Sequence, residues 1–268
     1  FCALHKNTTG ADNTSVGTAA LSENLTGAGN TAVGRSALQN STTDNNTAFG
    51  KEALNKTTSG DANTAVGTNA GACNTTGKNN IAIGTNAFPT NTTGCCNVAI
   101  GTFALQSNTT ANNNTAVGQG AMNTNTTGGN NTAVGFFSLL ANTTGASNTA
   151  VGCNALKANT TAGSNTAVGK DSLCVNQTGG FLVAVGQSAL RNNTGASNTA
   201  VGADAMFANS SGASNSAFGK NAMNCNTTGE NNIAMGSSAL DANTSGAGNV
   251  AGGNSSLSAN TTASNNTA

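Results

Sequence analysis

A short internal period constrains this chain more than anything else in it. The Gly that closes each Asn-Thr-Ala-Val-Gly segment falls at Gly17, Gly34, Gly50, Gly67, Gly84, Gly101, Gly118, Gly135, Gly152, Gly169, Gly186, Gly202, Gly219, Gly236 and Gly253, an interval of 17 residues. Two intervals, Gly34 to Gly50 and Gly186 to Gly202, are shorter by one. In both, the missing residue is placed just before the Asn of the second loop, Asn40 or Asn192, so the deletion falls in a turn. With a partial unit at each end there are sixteen copies, and residues 1–268 read as one continuous array with no linker or second domain. Such a repeat buries its apolar face only by stacking on its neighbours.

Each copy reads N-T-A-V-G-x-x-A-L-x-x-N-T-T-G-x-x. Two short apolar segments alternate with Asn/Thr/Gly loops, which predicts strand, turn, strand, turn. In the first segment Thr31, Ile81, Val98 or Ile233 precedes the Ala and Val33, Ile83, Phe218 or Met235 follows it. These flanking residues share one strand face, because side chains alternate with a period of two. The Ala on the other face is kept in every copy but the first, where it is Ser15. The second segment pairs a small residue (Ala37, Ala53, Ala104, Ser138, Ala189) with a larger one (Leu38, Leu54, Leu105, Leu139, Leu190). Helical solenoids need units of roughly 33 residues and leucine-rich repeats 20 to 29. A 17-residue unit fits one coil of a narrow parallel β-solenoid. Stacked at about 4.8 Å, sixteen copies make a rod on the order of 75 Å long.

Two assignments of the faces are open at this point. If the small residues fill the interior, Val33, Val66, Val117 and their equivalents form an outward apolar stripe that water would not cover favourably. If the Val row is inside, the Ala and Gly row is a flat surface suited to close contact. Both predict a partner surface, and a second copy of the chain in a lateral, cyclic homo-oligomer is the economical partner.

Composition narrows the function. Charged residues are 7% of the chain and the net charge is zero, so nothing steers nucleic acid or an anionic membrane. The longest apolar run, Phe181 to Val185, is strand length, which excludes membrane insertion by a helix. His5 is the only His, and the carboxylates Glu23, Asp44, Glu52, Asp61, Asp171, Asp204, Glu230 and Asp241 are scattered across phases. No acid/base pair, metal cluster or cofactor motif can be assembled from them, and a non-catalytic protein is expected.

The segments Asn30 to Ala37, Asn63 to Ala70 and Asn80 to Ala87, and most closely Val98-Ala99-Ile100-Gly101, resemble the repeats of trimeric autotransporter adhesin heads. Similar repeats occur in fibre proteins of phages and large viruses. The resemblance implies a left-handed parallel β-roll, three chains packed side by side, and adhesion to a surface glycan or receptor, on a cell surface, outside the cell or on a virion. It covers the whole chain. The sequence departs from that pattern in its period, which is 17 rather than about 14, and the extra length lies in the Asn-Thr-Thr-Gly loop. The expected protein is a structural or adhesive fibre, with a receptor-binding viral tail-fibre shaft and an ice-binding solenoid as alternatives.

Two Asn columns stand out. The first precedes the strand at Asn13, Asn30, Asn46, Asn63, Asn80, Asn97, Asn114, Asn131, Asn148, Asn165, Asn198, Asn215, Asn232, Asn249 and Asn266, with Leu182 the exception. Stacked amides at this position predict a hydrogen-bonded ladder. The second column, in the loop, is Asn7, Asn24, Asn40, Asn74, Asn91, Asn108, Asn125, Asn142, Asn159, Asn176, Asn192, Asn209, Asn226, Asn243 and Asn260, each in an Asn-x-Ser/Thr sequon. One unit breaks phase with Thr57, and its sequon moves to Asn55. This column reads either as a row of N-glycosylation sites or as plain turn chemistry.

Rows of Thr at coil spacing are the basis of the ice-binding alternative. Replacement of the Thr beside the first-column Asn by Ile81, Val98, Val183, Ile233 and Val250 argues that this row is buried, and so against that alternative. Seven Cys include Cys73 and the adjacent pair Cys95 and Cys96 one coil on, which allows an inter-coil or inter-chain disulfide as well as free thiols. The first and last units carry no atypical cap, so end-to-end stacking of copies into a filament is a further expectation.

Overall fold

The computed structural model describes residues 2–268. The chain forms two compact units, Phe1–Asn131 and Thr132–Ala268. The first carries strands β1 (Thr14–Val16), β2 (Thr31–Val33), β3 (Thr47–Phe49), β4 (Thr64–Val66), β5 (Ile81–Ile83), β6 (Val98–Ile100) and β7 (Thr115–Val117). The second carries β8 (Thr132–Val134), β9 (Thr149–Val151), β10 (Thr166–Val168), β11 (Val183–Val185), β12 (Thr199–Val201), β13 (Ser216–Phe218), β14 (Ile233–Met235) and β15 (Val250–Gly252). Each unit is a parallel β-solenoid with one three-residue strand per coil, paired to its neighbours in sequence order. Register is the repeat itself: Ala32 stands opposite Ala48 and Ala184 opposite Ala200 even though these coils are one residue short.

The faces resolve to the first assignment. The strand Ala points inward and is buried from Ala32 through Ala116 in the first unit and from Ala133 through Ala251 in the second. The Thr and Val positions flanking it point outward. A one-methyl side chain is what lets the opposite wall of the coil approach so closely.

The second apolar segment is not a strand. At Arg35 to Gln39 the chain turns, with Ser36 at φ 58° and Leu38 at φ 48°. The same left-handed pair recurs at Glu52 and Leu54, Phe103 and Leu105, and Ser188 and Leu190. The physical reason lies in what must be buried. Successive strand residues point to opposite faces, so a strand would bury Ala37 or Leu38 but not both. The kinked backbone turns both side chains inward, and both are fully buried. A bulky residue in this region is costly, by about 1–2 kcal/mol. Burying a Leu side chain returns about 1.5–3 kcal/mol. The turn also keeps its amides paired between coils, Leu38 N donating to Ala53 O at 3.0 Å and Ser36 N to Thr18 O at 2.9 Å.

The closing Gly is required for a different reason. Gly67 has φ 129°, and a Cβ there would lie 2.7 Å from the carbonyl oxygen of Gly84 on the next coil. Backbone stacks on backbone at this corner, with no room for a side chain.

Candidate functional site

Among the described residues, the outside of every strand carries a pair of columns flanking the inward-pointing residue, which is Ser15 in β1 and a buried Ala in the others. In the first unit the column after the Ala is Val16, Val33, Phe49, Val66, Ile83, Ile100 and Val117; in the second it is Val134, Val151, Val168, Val185, Val201, Phe218, Met235 and Gly252. Val33, Ile100, Val117, Val185 and Val201 are half-buried, and the other large apolar members are exposed, from 36% at Val151 and Val168 to 58% at Val16. Neither column holds a charged residue in any strand. Within each unit these side chains stand about 4.8 Å apart along the stack and about 7 Å apart across the strand. Together they make a charge-free, in-register face, apolar in the column after the Ala and mostly Thr in the column before it.

The column before the Ala faces the same way. Ile81 is 37% exposed and Ile233 40%, and Val183 and Val250 are exposed as well. The sequence argument that these substitutions signal burial is therefore corrected. Ile and Val replace Thr on an outward face because both are β-branched and suit an extended strand, not because the position is interior.

Both Asn columns lie inside. In the first, the side-chain oxygen of one Asn accepts the backbone N–H of the next, as from Asn63 to Asn46 at 2.9 Å and Asn80 to Asn63 at 3.0 Å. Its nitrogen donates across the coil to the loop carbonyl, Asn63 Nδ2 to Gly77 O at 2.9 Å and Asn215 Nδ2 to Gly229 O at 2.8 Å. Where Leu182 interrupts the column, its backbone N still donates to Asn165 Oδ1 at 3.0 Å. This ladder satisfies the loop backbone that a narrow interior would otherwise leave unpaired.

The sequence leaves the second column open between a row of glycan acceptors and turn chemistry, and the structure places it in the core. Asn24, Asn91, Asn108, Asn125, Asn142, Asn159, Asn176, Asn209, Asn226 and Asn243 are fully buried and Asn74 nearly so, while Asn7 and Asn260, in the end coils, are half-buried. Asn91 Nδ2 donates to Asn74 Oδ1 at 2.6 Å and to Gly94 O at 3.0 Å; Asn226 Nδ2 donates to Asn209 Oδ1 at 2.8 Å and to Gly229 O at 3.0 Å. Both amide hydrogens are thus committed to the interior. A sugar on such a nitrogen would remove one of these bonds and force its ring between coils stacked about 4.8 Å apart.

The short coils correct the alignment as well. Asn40 and Asn192 are not in this column: the buried positions are Ser41 and Asn193, and Asn209 Nδ2 and Asn198 Nδ2 both donate to Asn193 Oδ1. The missing residue therefore lies after the column, in the Thr-Thr stretch, where a shorter loop leaves the core register intact. Thr57 takes the buried position in its own coil, with its Oγ1 unpaired, and Asn55 is half-buried outside it. The first Thr of the loop is structural too: Thr75 Oγ1 donates to Thr92 O at 2.9 Å and Thr227 Oγ1 to Thr244 O at 2.9 Å. Its role was missed in sequence, although the strict period of the Thr carried the signal.

The seven cysteines are free thiols. Cys73 sits on the turn before the second loop, whereas Cys95 and Cys96 lie in the stretch after it, on the far side of the buried Asn column. The intrachain bridge that the sequence allowed is not formed, because the two sets belong to different corners of the coil. Burial, with the Asp171 carboxylate adding to it, raises the Cys174 thiol above the ordinary cysteine range. Iodoacetamide near neutral pH is expected to label Cys174 several-fold more slowly than the exposed Cys225, since the thiolate is the reacting form. Peptide mapping of a time course checks this.

Among the described residues no group of three His, Cys, Asp or Glu side chains is placed to hold a metal ion, and no helix is long and apolar enough to cross a membrane. Lys78 Nζ pairs with the half-buried Asp61 carboxylate at 3.0 Å and holds its pKa below the usual value, an ordinary surface ion pair. No protein-family model matches the chain, and no curated protein matches it.

Proposed function

We propose that this protein is a non-catalytic structural or adhesive fibre component that works outside the cell or on a virion and self-associates laterally through the outward strand face. The observation that carries the reading is the pair of charge-free outward columns, repeated in register on every strand of both units. A lone chain would leave both columns in water; a second copy offers the same columns at the same spacing, so every coil contributes an identical weak contact. The resemblance of the Asn-Thr-Ala-Val-Gly unit to adhesin head repeats supports three chains per assembly.

Light scattering on the purified chain tests this. The unaltered protein is expected to run as a trimer or larger assembly. The double variant Val66→Lys/Val151→Lys, with one cation on each unit's face, is expected to weaken association by on the order of 100-fold, because an unpaired charge would be buried at the contact. Far-UV circular dichroism should stay unchanged, since both side chains point away from the core. A stable monomer at high concentration would overturn the reading.

The outward placement of the Thr column favours one second reading, an ice-binding face. Thermal hysteresis from a monomeric chain would select it over the fibre.

A further inference from the structure

Four sequons outside the second-loop column share a different environment. Asn45-Asn46-Thr47, Asn113-Asn114-Thr115, Asn130-Asn131-Thr132 and Asn265-Asn266-Thr267 each begin at the last position of a coil, immediately before a first-column Asn. The backbone there is left-handed, with φ 60°, 59°, 60° and 61° in turn, a conformation Asn adopts more easily than most residues. Each loop is pinned through its main chain: Asn45 N donates to Ala28 O at 3.0 Å, Asn113 N to Cys95 O at 3.1 Å, Asn130 N to Asn112 O at 3.1 Å and Asn265 N to Ala247 O at 2.9 Å. The side chains are left exposed. The one carboxamide contact between two of them, Asn113 Nδ2 to Asn130 Oδ1 at 3.3 Å, is itself at the surface.

The same coil position accepts a bulky group elsewhere in the chain. Phe181 occupies it and is 73% exposed, so a large substituent there projects into solvent without entering the coil. Gly29, Ala62 and Cys96 also occupy it, so the ladder and the strand do not depend on what this side chain is.

We infer that Asn45, Asn113, Asn130 and Asn265 form a row of N-glycan acceptors at the coil ends, and that the buried second-loop sequons stay bare in folded protein. The biological use of such sites rests on the extracellular reading above. In the transfer, the Asn Nδ2 forms a bond to the anomeric carbon of an oligosaccharide carried on a polyprenyl diphosphate. The bond from that carbon to the phosphate oxygen breaks, the diphosphate leaves with the electron pair, and the amide loses one proton. At Asn45 this costs the coil no interior bond. At Asn108 it would displace a donor that serves both Asn91 Oδ1 at 3.2 Å and Ala111 O at 3.3 Å.

The test is to secrete the full chain from a eukaryotic cell and map intact glycopeptides by electron-transfer fragmentation, with circular dichroism confirming that the fraction analysed is folded. Glycan is expected on the four coil-end asparagines and none on Asn108, Asn159 or Asn226. Glycan on that buried column in folded protein, or four bare coil-end sites, would overturn the inference. Either result is independent of the assembly state measured by light scattering, so the fibre reading stands or falls separately.

Discussion

Replacing Asn91 by Asp is expected to destabilise the first unit by about 3–5 kcal/mol at neutral pH, the range seen when a buried charge is left without a partner. Asn91 Nδ2 donates to Asn74 Oδ1 and Gly94 O, while its Oδ1 accepts from Asn108 Nδ2 and from Gly94 N at 3.0 Å. The carboxylate keeps both acceptor roles and loses both donor roles. It also sets a negative charge against the Asn74 and Gly94 oxygens inside a fully buried column. Burial without a cation raises the folded-state pKa of that carboxyl above its unfolded value of about 3.9. The sign follows: the folded state holds the proton more tightly, so the variant is least perturbed below the unfolded pKa and loses stability as pH rises through the folded pKa. Thermal melts of N91D and the parent from pH 3 to pH 8 check this. A variant that melts no lower at pH 8 than at pH 3, relative to the parent, would remove the buried ladder from the account of stability. The loss should be local, because repeat arrays couple chiefly between neighbouring coils, and hydrogen exchange should show protection falling first near Asn74 and Asn108.

Gly84→Ala should cost about 3 kcal/mol or more. At φ 131° a residue with a Cβ is strained by about 1–3 kcal/mol before any contact is counted. The added carbon would also sit 2.7 Å from the carbonyl carbon of Gly101 and 2.8 Å from its oxygen. Those atoms are backbone and cannot rotate away, so the two coils must separate at the corner and lengthen the bond from Gly101 N to Ile83 O, now 2.7 Å. Urea denaturation of G84A against the parent gives the number. Ala62→Gly, at a left-handed turn of φ 56°, is the contrasting change and is expected to be neutral or slightly stabilising, because it relieves strain and removes no interior contact. Equal losses from the two substitutions would show that backbone stacking at the glycine corner carries no special weight.

The sequence by itself determined the period, the parallel stacking of like on like, and the ladder position of the first Asn column. Each follows from one rule applied in every copy: a position that keeps Ala, Gly or Asn regardless of its neighbours is held by the coil above and below. The same rule could not tell which strand face is interior, because Ala in a narrow core and Ala on a flat contact surface leave the same pattern. Packing decided it: a coil of 17 residues has interior width for Ala32, Ala37 and Leu38 but not for a Val row as well. Nor could alternation of apolar residues reveal that Ala37-Leu38 is a left-handed turn, since that geometry depends on both side chains finding one core. Sequence alignment of the short coils slips by one residue because their sequons begin at Asn40 and Asn192, one residue ahead of the interior position, and only burial marks Ser41 and Asn193 as the interior members. Sequons report what an enzyme can recognise in an extended chain. Which amide nitrogen points to water and which is consumed by the coil beneath is set by three-dimensional hydrogen bonding, which only the tertiary structure decided.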